Sequence, residues 1–481
     1  MSRTGGLPEG EGRALLALRT GRILGRLSPR WLLIFWLAIA IIGGTLLLKL
    51  PFALPPGRVL SWPDALFTAT SSICVTGLTV VDTSDFTLFG QLVILALIQI
   101  GGLGIMTLAT FLLLLLGRRV GFRQRTALRE TIADLPSSNV RAVLWSIVKF
   151  IFITETVGAV VFFIRFLPRF WGQPGQSAST AIAKTLYFAV FHAISGFCNA
   201  GFSPFRDSLA GFRPDPFVNG MMMVLIIAGG LGFPVIHDVV KAYQARPLRR
   251  VRPLLNMHTR IVLLTSAALV VGGTGVFYLL ELRHTGHDVS VATGLTSALF
   301  LSVTSRTAGF YTVPPKELAD ATKLIVIFLM FVGASPGSCG GGIKTSTFAV
   351  AVALIFSRLC GREHTQVGHR SVPDDIAIKA LGTITACFLL VVVVSLALMI
   401  SEDSPDGGTP RFIDVLFETV SAFGTVGLST GITPGLSTVG KLLITFTMFA
   451  GKMGPLTLIM AFSTQASALK FKYPEEHVMI G

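Results

Sequence analysis

Long uncharged apolar runs alternate along this chain with shorter ones that break into small and hydroxyl-bearing residues. Residues 86–117, 261–280 and 380–401 contain no charged side chain. Each run exceeds the roughly 18 apolar residues that mark a membrane-crossing helix. Eight long apolar segments fit this description, at 31–50, 88–117, 143–166, 217–240, 259–282, 321–357, 376–401 and 438–468. Between the members of each successive pair lies a shorter run ending in a glycine-containing stretch. The first, 65–81, is too short and too polar to span. A helix that stops midway leaves carbonyls that lipid cannot satisfy, so such segments belong where protein or water surrounds them. They are expected to re-enter rather than cross.

The four short segments resemble one another. They run Phe67–Leu78, Phe191–Phe202, Phe300–Phe310 and Phe417–Leu428, each opening on an aromatic, passing a hydroxyl-rich turn and closing on glycine followed by Leu or Phe. The closing glycines, Gly77, Gly201, Gly309 and Gly427, are 124, 108 and 118 residues apart. Such even spacing indicates internal repeats.

Charge supports one topology. With the N-terminus inside and every re-entrant loop outside, inner segments carry 24 Lys and Arg, outer segments 13, and three (Lys149, Lys344, Lys452) lie within spans. The excess has the sign of the positive-inside rule. It accounts for the net charge of +15 without a nucleic-acid partner. Charged residues make up only 14% of the 481, against roughly a quarter in soluble chains. The expected fold is an all-α polytopic membrane protein. It has four tandem helix–pore loop–helix repeats, eight spans plus four re-entrant half-helices, around a pseudo-four-fold pore.

The repeats fall at 31–117, 143–242, 259–358 and 376–469, joined by cytoplasmic loops 118–142, 243–258 and 359–375. A basic segment, 1–30, precedes them and a tail, 470–481, follows. Both termini are expected in the cytoplasm. Arg13–Leu27 alternates arginines with Leu and Ile, as either an amphipathic helix on the inner leaflet or an unstructured tail. The first thirty residues lack the long apolar core of a cleavable signal. Five scattered cysteines form no CxxC pair, and eight histidines form no HExxH or cluster, so neither a disulfide framework nor a resident metal is expected.

Pore loops select cations with backbone carbonyls that replace the hydration shell. Glycine permits the backbone angles this requires. A half-helix aimed at the axis adds about half an electron of negative charge. The candidate ion-binding residues are Cys74, Val75, Thr76 and Gly77; Cys198, Asn199, Ala200 and Gly201; Arg306, Thr307, Ala308 and Gly309; and Gly424, Thr425, Val426 and Gly427. Those stretches hold no Asp or Glu. Asp82 and Asp85 just outside the first are either a cation-enriching mouth or ordinary loop acids.

These four stretches, together with Gly333–Thr345, resemble the Trk/Ktr/HKT superfamily of potassium transporters from about Trp31 onward. The lack of an extra helix pair before the first repeat, and the ending Phe471–Gly481, are most similar to the KtrB branch. In plant and fungal relatives, serine at the first filter glycine goes with sodium transport. All four positions are glycine here, so the resemblance implies potassium as the transported ion, with sodium activation left open. It also implies a homodimer, a cytosolic ring of nucleotide-binding RCK subunits and a plasma-membrane location.

Gly333–Thr345 interrupts the sixth span with five glycines and a proline. Each glycine costs a helix about 1 kcal/mol and proline about 3. Gly333, Ser335, Gly337, Ser338, Gly340, Gly341, Gly342 and Lys344 are the candidate residues of an intramembrane gating loop, the role the resemblance implies. Lys452 takes the place of a family arginine that projects into the pore. Glu155 is a further buried charge, with Lys149 or Arg165 as its expected counter-ion. Gly333-Ala-Ser335-Pro-Gly337 also fits the G-x-S-x-G elbow of serine hydrolases, which needs a strand–turn–helix setting and a histidine. Gly337–Thr345 approaches a P-loop, but Ile343 interrupts it and no strand precedes it. The competing functions are therefore sodium or ammonium conduction in the same fold, and an intramembrane hydrolase using Ser335.

Overall fold

The computed structural model describes residues 29–102, 140–172, 174, 177–244, 255–284, 290–368, 370–403 and 410–454. The basic N-terminal segment, the loop 118–139, the far ends of the second and eighth apolar runs and the C-terminal tail lie outside them. Fourteen α-helices are described. They are α1 (Pro29–Leu48), α2 (Trp62–Cys74), α3 (Leu88–Gly102), α4 (Val140–Phe170), α5 (Ala178–Phe197), α6 (Pro216–Leu231) and α7 (Phe233–Gln244). Next come α8 (Met257–His284), α9 (Val291–Thr304), α10 (Asp320–Phe331), α11 (Thr345–Leu359), α12 (Asp374–Ser401), α13 (Phe412–Gly424) and α14 (Thr438–Met453). A two-residue β-hairpin (Gln366–Val367 with Arg370–Ser371) joins α11 to α12.

Four described helices are long and apolar enough to cross a membrane, at 145–170, 178–197, 257–280 and 374–401. Their outer faces are apolar and open. Leu264, Val271, Ile153 and Val393 are each more than three-fifths exposed, as side chains facing lipid would be. The fourth apolar run, expected as one span at 217–240, is instead two helices, α6 and α7, bent by 101°. Gly232 at the bend has φ +78°, and Pro234 behind it cannot donate back to the preceding turn.

The helices that end at the glycine stretches are α2, α5, α9 and α13, and the arrangement is cyclic. The helix after each stretch packs on the next such helix round the ring: α3 on α5, α6 on α9, α10 on α13, and α14 back on α2. In three quarters a glycine lets that helix also approach its own partner. A Cβ on Gly101 would strike the Ile73 carbonyl, one on Gly229 the Phe197 carbonyl, and one on Gly451 the Phe423 carbonyl. Each obstacle is backbone and cannot turn aside. Gly229→Ala should therefore be destabilised by about 1–3 kcal/mol from overpacking. Gly220→Ala on the same helix, with open space around it, should match the unaltered protein in thermal unfolding of detergent-solubilised samples.

Candidate functional site

Three of these four helices begin on a serine cap: Ser61, Ser177 and Ser290 accept from the backbone N–H three residues on; α5, with 20 residues, is not the short segment expected but one of the helices long enough to span. All four end abruptly. Two residues before each closing glycine, the chain turns left-handed, at Val75 (φ 57°), Asn199 (59°), Thr307 (69°) and Thr425 (50°). Ser208 is the one other described non-glycine residue with positive φ. Left-handed backbone costs an L-residue roughly 1–2 kcal/mol, and β-branched residues tolerate it least. The closing glycines follow at φ 92°, 71°, 79° and 94°.

Hydrogen bonds from the last helical turn hold this path. Thr76, Ala200 and Val426 donate their N–H to the carbonyls of Ser71, Ser195 and Ser421 at 2.8–2.9 Å, and Ala308 donates to Thr304 at 3.0 Å. The same four residues add their hydroxyls. Ser71 Oγ donates to the Leu78 carbonyl at 2.7 Å and accepts from Gly77 N–H at 3.1 Å. Ser195 Oγ donates to the Phe202 carbonyl at 2.7 Å, and Thr304 Oγ1 to the Phe310 carbonyl at 2.6 Å. Ser421 Oγ accepts from Gly427 N–H at 3.1 Å. These clamping hydroxyls were not singled out as site residues from sequence. Their signal was a Ser six residues before the glycine in three segments and a Thr five before it in the third.

The four stretches meet. A Cβ on Gly77 would fall on the Ala200 carbonyl oxygen, one on Gly201 against that of Ala308, one on Gly309 on that of Val426, and one on Gly427 on that of Thr76. The glycines thus form a closed ring in chain order, backbone against backbone. Above it opens a vestibule of about 260 Å³ lined by all four, together with Asp82 and Arg206.

Gly333–Thr345 runs across the other side of the ring. Gly341 N–H donates to Thr425 Oγ1 at 2.8 Å, and Gly340 lies so close to Thr307 that a Cβ would meet its hydroxyl. Every quarter of the ring holds the segment. Cys339 Sγ donates to the Gly102 carbonyl at 3.1 Å. Ser335 N–H and Oγ both donate to the Gly230 carbonyl, and Oγ also to that of Leu231. Arg306 reaches the Gly333 carbonyl at 3.4 Å, and Gly342 N–H donates to that of Gly451 at 3.2 Å. Lys452 Nζ donates to the Cys339 carbonyl at 2.6 Å, and Lys344 Nζ to that of Gly340 at the same distance. Gly337 and Ser338 form the turn at the far edge, against Pro234.

The family model for the TrkH cation transport proteins matches residues 35–472. The chain belongs to this family. It is 36% identical to Ktr system potassium uptake protein B of Bacillus subtilis, over 95% of this chain and 97% of that one. It is 38% identical to the protein of the same name from Vibrio alginolyticus, over 94% and 95%. It is 33% identical to the potassium/sodium uptake protein NtpJ of Enterococcus hirae, over 96% and 99%. In three dimensions it resembles the crystal structure of the potassium transporter TrkH from Vibrio parahaemolyticus, with TM-score 0.68 at 20% identity, covering 91% of this chain and 86% of that one.

Membership of a family of ion transporters removes the hydrolase alternative: the chain is not an enzyme. Ser335 accordingly spends its hydroxyl on two carbonyls, with no histidine bonded to it among the described residues. One other expectation is corrected. Glu155 meets neither Lys149 nor Arg165. Gln99 Nε2 donates to its carboxylate at 3.2 and 3.4 Å, while Arg165 pairs with Asp215. Of the two acids outside the first stretch, Asp82 lines the vestibule and Asp85 is ion-paired beside it. Arg206 holds it at 2.7 Å and Arg58 at 2.9 Å.

Arg206's hydrogen bond, ahead of that from Arg58, draws the Asp85 carboxyl below its ordinary pKa. Burial, and then Asp85 itself, push Asp82 up. A lowered carboxylate stabilises the fold above its unfolded-state pKa, and that contribution disappears as pH falls through the lowered value. Asp85→Asn should therefore melt below the unaltered protein at pH 6–7. The gap should begin to close as pH drops past about 4, the ordinary Asp value, and vanish at lower pH. Thermal unfolding of both proteins across that range checks it.

Proposed function

We propose that this chain is the membrane-embedded, ion-conducting subunit of a potassium uptake system. The observation that carries the reading is the closed ring of Gly77, Gly201, Gly309 and Gly427 just beyond the ends of four helices. Carbonyls of the preceding residues stack around such a ring, and carbonyl oxygens replace the water of an ion entering it. The helix C-termini add negative potential on the same axis, so a cation is favoured without an acid in the ring. Potassium is the choice on two grounds: the names of the relatives in Bacillus and Vibrio, and glycine at all four ring positions.

In this reading the chain is built of four repeats, 31–117, 143–242, 259–358 and 376–469, with eight spans and four re-entrant half-helices about a pseudo-four-fold pore. Residues 74–77, 198–201, 306–309 and 424–427 form the filter. Gly333–Thr345 is the gate under it, fastened shut by Lys452 and hung from all four quarters. The protein works in the plasma membrane as a homodimer on a cytosolic RCK-type nucleotide-binding ring, and both termini are inside. The name of the Enterococcus relative, a potassium/sodium uptake protein, supports testing sodium as an activator. The same name keeps sodium as the competing cargo.

Growth of potassium-starved cells lacking their own uptake, with 86Rb+ flux into proteoliposomes, tests the reading. Rescue and rubidium flux are expected; liposomes that carry no alkali cation, even with the auxiliary subunit supplied, would end it. Three variants refine it. Gly77→Ser puts a side chain onto the Ala200 carbonyl at φ 92° and should reduce discrimination of K+ over Na+ in competition flux. Lys452→Met removes a charge-assisted hydrogen bond of about 1.5–3 kcal/mol. Lost from the closed state alone, it should raise flux on the order of tenfold with the K+/Na+ ratio unchanged. Deleting part of 333–342 should have the same signature, whereas unaltered flux there removes the gate assignment.

A further inference from the structure

Beside the ring, between α6 and α8, lies a cavity of about 340 Å³ whose walls are almost wholly apolar. Leu263, Ala267 and Val270 of α8 form one wall, Ile227 of α6 the other, and Ala334 of the gating segment the end. Leu264 and Val271 beside the α8 wall are exposed, on a helix long enough to span a bilayer, so the cavity borders the lipid-facing surface. One charged group lines it, the guanidinium of Arg306. Arg306 has five N–H donors. Among the described residues its hydrogen bonding amounts to one 3.4 Å contact with the Gly333 carbonyl, and its buried Nε has no acceptor. No carboxylate among those residues lies within ion-pair distance of it. An unpaired guanidinium at membrane depth is costly, and an anion is the partner that relieves it.

We infer that this cavity takes a single-chain anionic amphiphile of the fatty-acid class from the bilayer, its carboxylate on Arg306 and its acyl chain along α6 and α8. A phospholipid headgroup does not suit it. Besides Arg306, Ser266 is the one side-chain polar group in the wall, too little to replace the solvation of a bulky zwitterion. A carboxylate matches the planar fork of the guanidinium with two parallel hydrogen bonds. Binding there also reaches the gating segment. The carboxylate competes with the Gly333 carbonyl for Arg306, while the chain lies against Gly230 and Leu231, whose carbonyls hold Ser335. Occupancy therefore loosens the Arg306 attachment of Gly333–Thr345, and fatty acid raises flux. This regulatory half rests on the transport reading above; the binding half does not.

The test uses the full-length protein in nanodiscs and a diazirine-bearing palmitic acid, with labelled peptides mapped by mass spectrometry. Labelling is expected on 263–271 and 226–231, displaced by palmitate but not by its methyl ester. Ala267→Trp, which fills the cavity from an exposed backbone position, should abolish it, and Arg306→Gln should weaken it about tenfold. Labelling elsewhere, equal competition by the ester, or label that survives Ala267→Trp overturns the site. So does absence of label because a second copy of the chain covers this face. In 86Rb+ flux, palmitate should stimulate the unaltered protein and leave Ala267→Trp unchanged, with basal flux equal in the two. Site-specific labelling without stimulation overturns the regulatory half alone. Absence of any rubidium flux speaks against the transport reading and not against the site.

Discussion

Four residues held in left-handed backbone carry the architecture. Val75, Asn199, Thr307 and Thr425 each reverse the chain at the end of a helix, and everything beyond that turn depends on them. Without the turn, the next two residues continue the helix and their carbonyls point along its axis rather than around a shared centre. The cost, about 1–2 kcal/mol at each position, is borne locally. The last helical turn answers with a backbone bond and a side-chain hydroxyl aimed at the same three residues, within 2.6–3.1 Å in every quarter. Strain of this kind persists where the surroundings over-determine it. Here the surroundings include the neighbouring quarter, because each glycine abuts the carbonyl of the next.

A closed ring of backbone contacts has consequences for what lies under it. Thr307 and Thr425 turn their hydroxyls toward Gly340 and Gly341, so the residues that bend the chain above also touch the crossing segment below. Glycine is required on the crossing side, since a Cβ at either position would collide with those threonines. The segment is attached through separate bonds: one to Thr425, one to Gly102, one to Gly229, two at Gly230, one at Leu231, one long bond from Arg306, and the Gly451 and Lys452 pair. Each is worth about 0.5–1.5 kcal/mol net when neutral. The segment is thus held by separate contacts with every quarter rather than by one strong bond.

The parts legible in the sequence were those written in local pattern. Helical content, long uncharged runs and the interruption at 333–345 follow from residue type and spacing, and membership of the TrkH family agrees with the resemblance carried by the glycine motifs. What escaped was decided by neighbours distant in sequence. Nothing near Glu155 suggests Gln99 rather than Lys149, because Gln99 and Glu155 are 56 positions apart and meet only when α3 and α4 both pack on α5. The pairing of Asp85 with Arg206 spans 121 positions. The bend at Gly232 was hidden because hydropathy continues through it, and only the positive φ and the proline two residues on betray it. The clamping hydroxyls were on view but looked like polar filler, since a serine on a short helix has many uses until its acceptor is known.

The third quarter departs from the other three in every respect that matters to the crossing segment. Its clamp is a threonine one residue closer to the glycine, and three residues before its ring glycine stands Arg306 where the others have Cys74, Cys198 and Gly424. Gly101, Gly333 and Gly451 each lie 24 residues after a ring glycine. In the first and fourth quarters that glycine presses the following helix onto the end of its own short helix; in the third, Gly333 faces Gly341 of the crossing segment instead. In the third quarter that contact is replaced by one with the crossing segment, and α10 ends at Phe331. A ring of four equivalent quarters has no place for a single crossing segment. The residues that set this quarter apart, Arg306 and the run from Gly333, occur together in it.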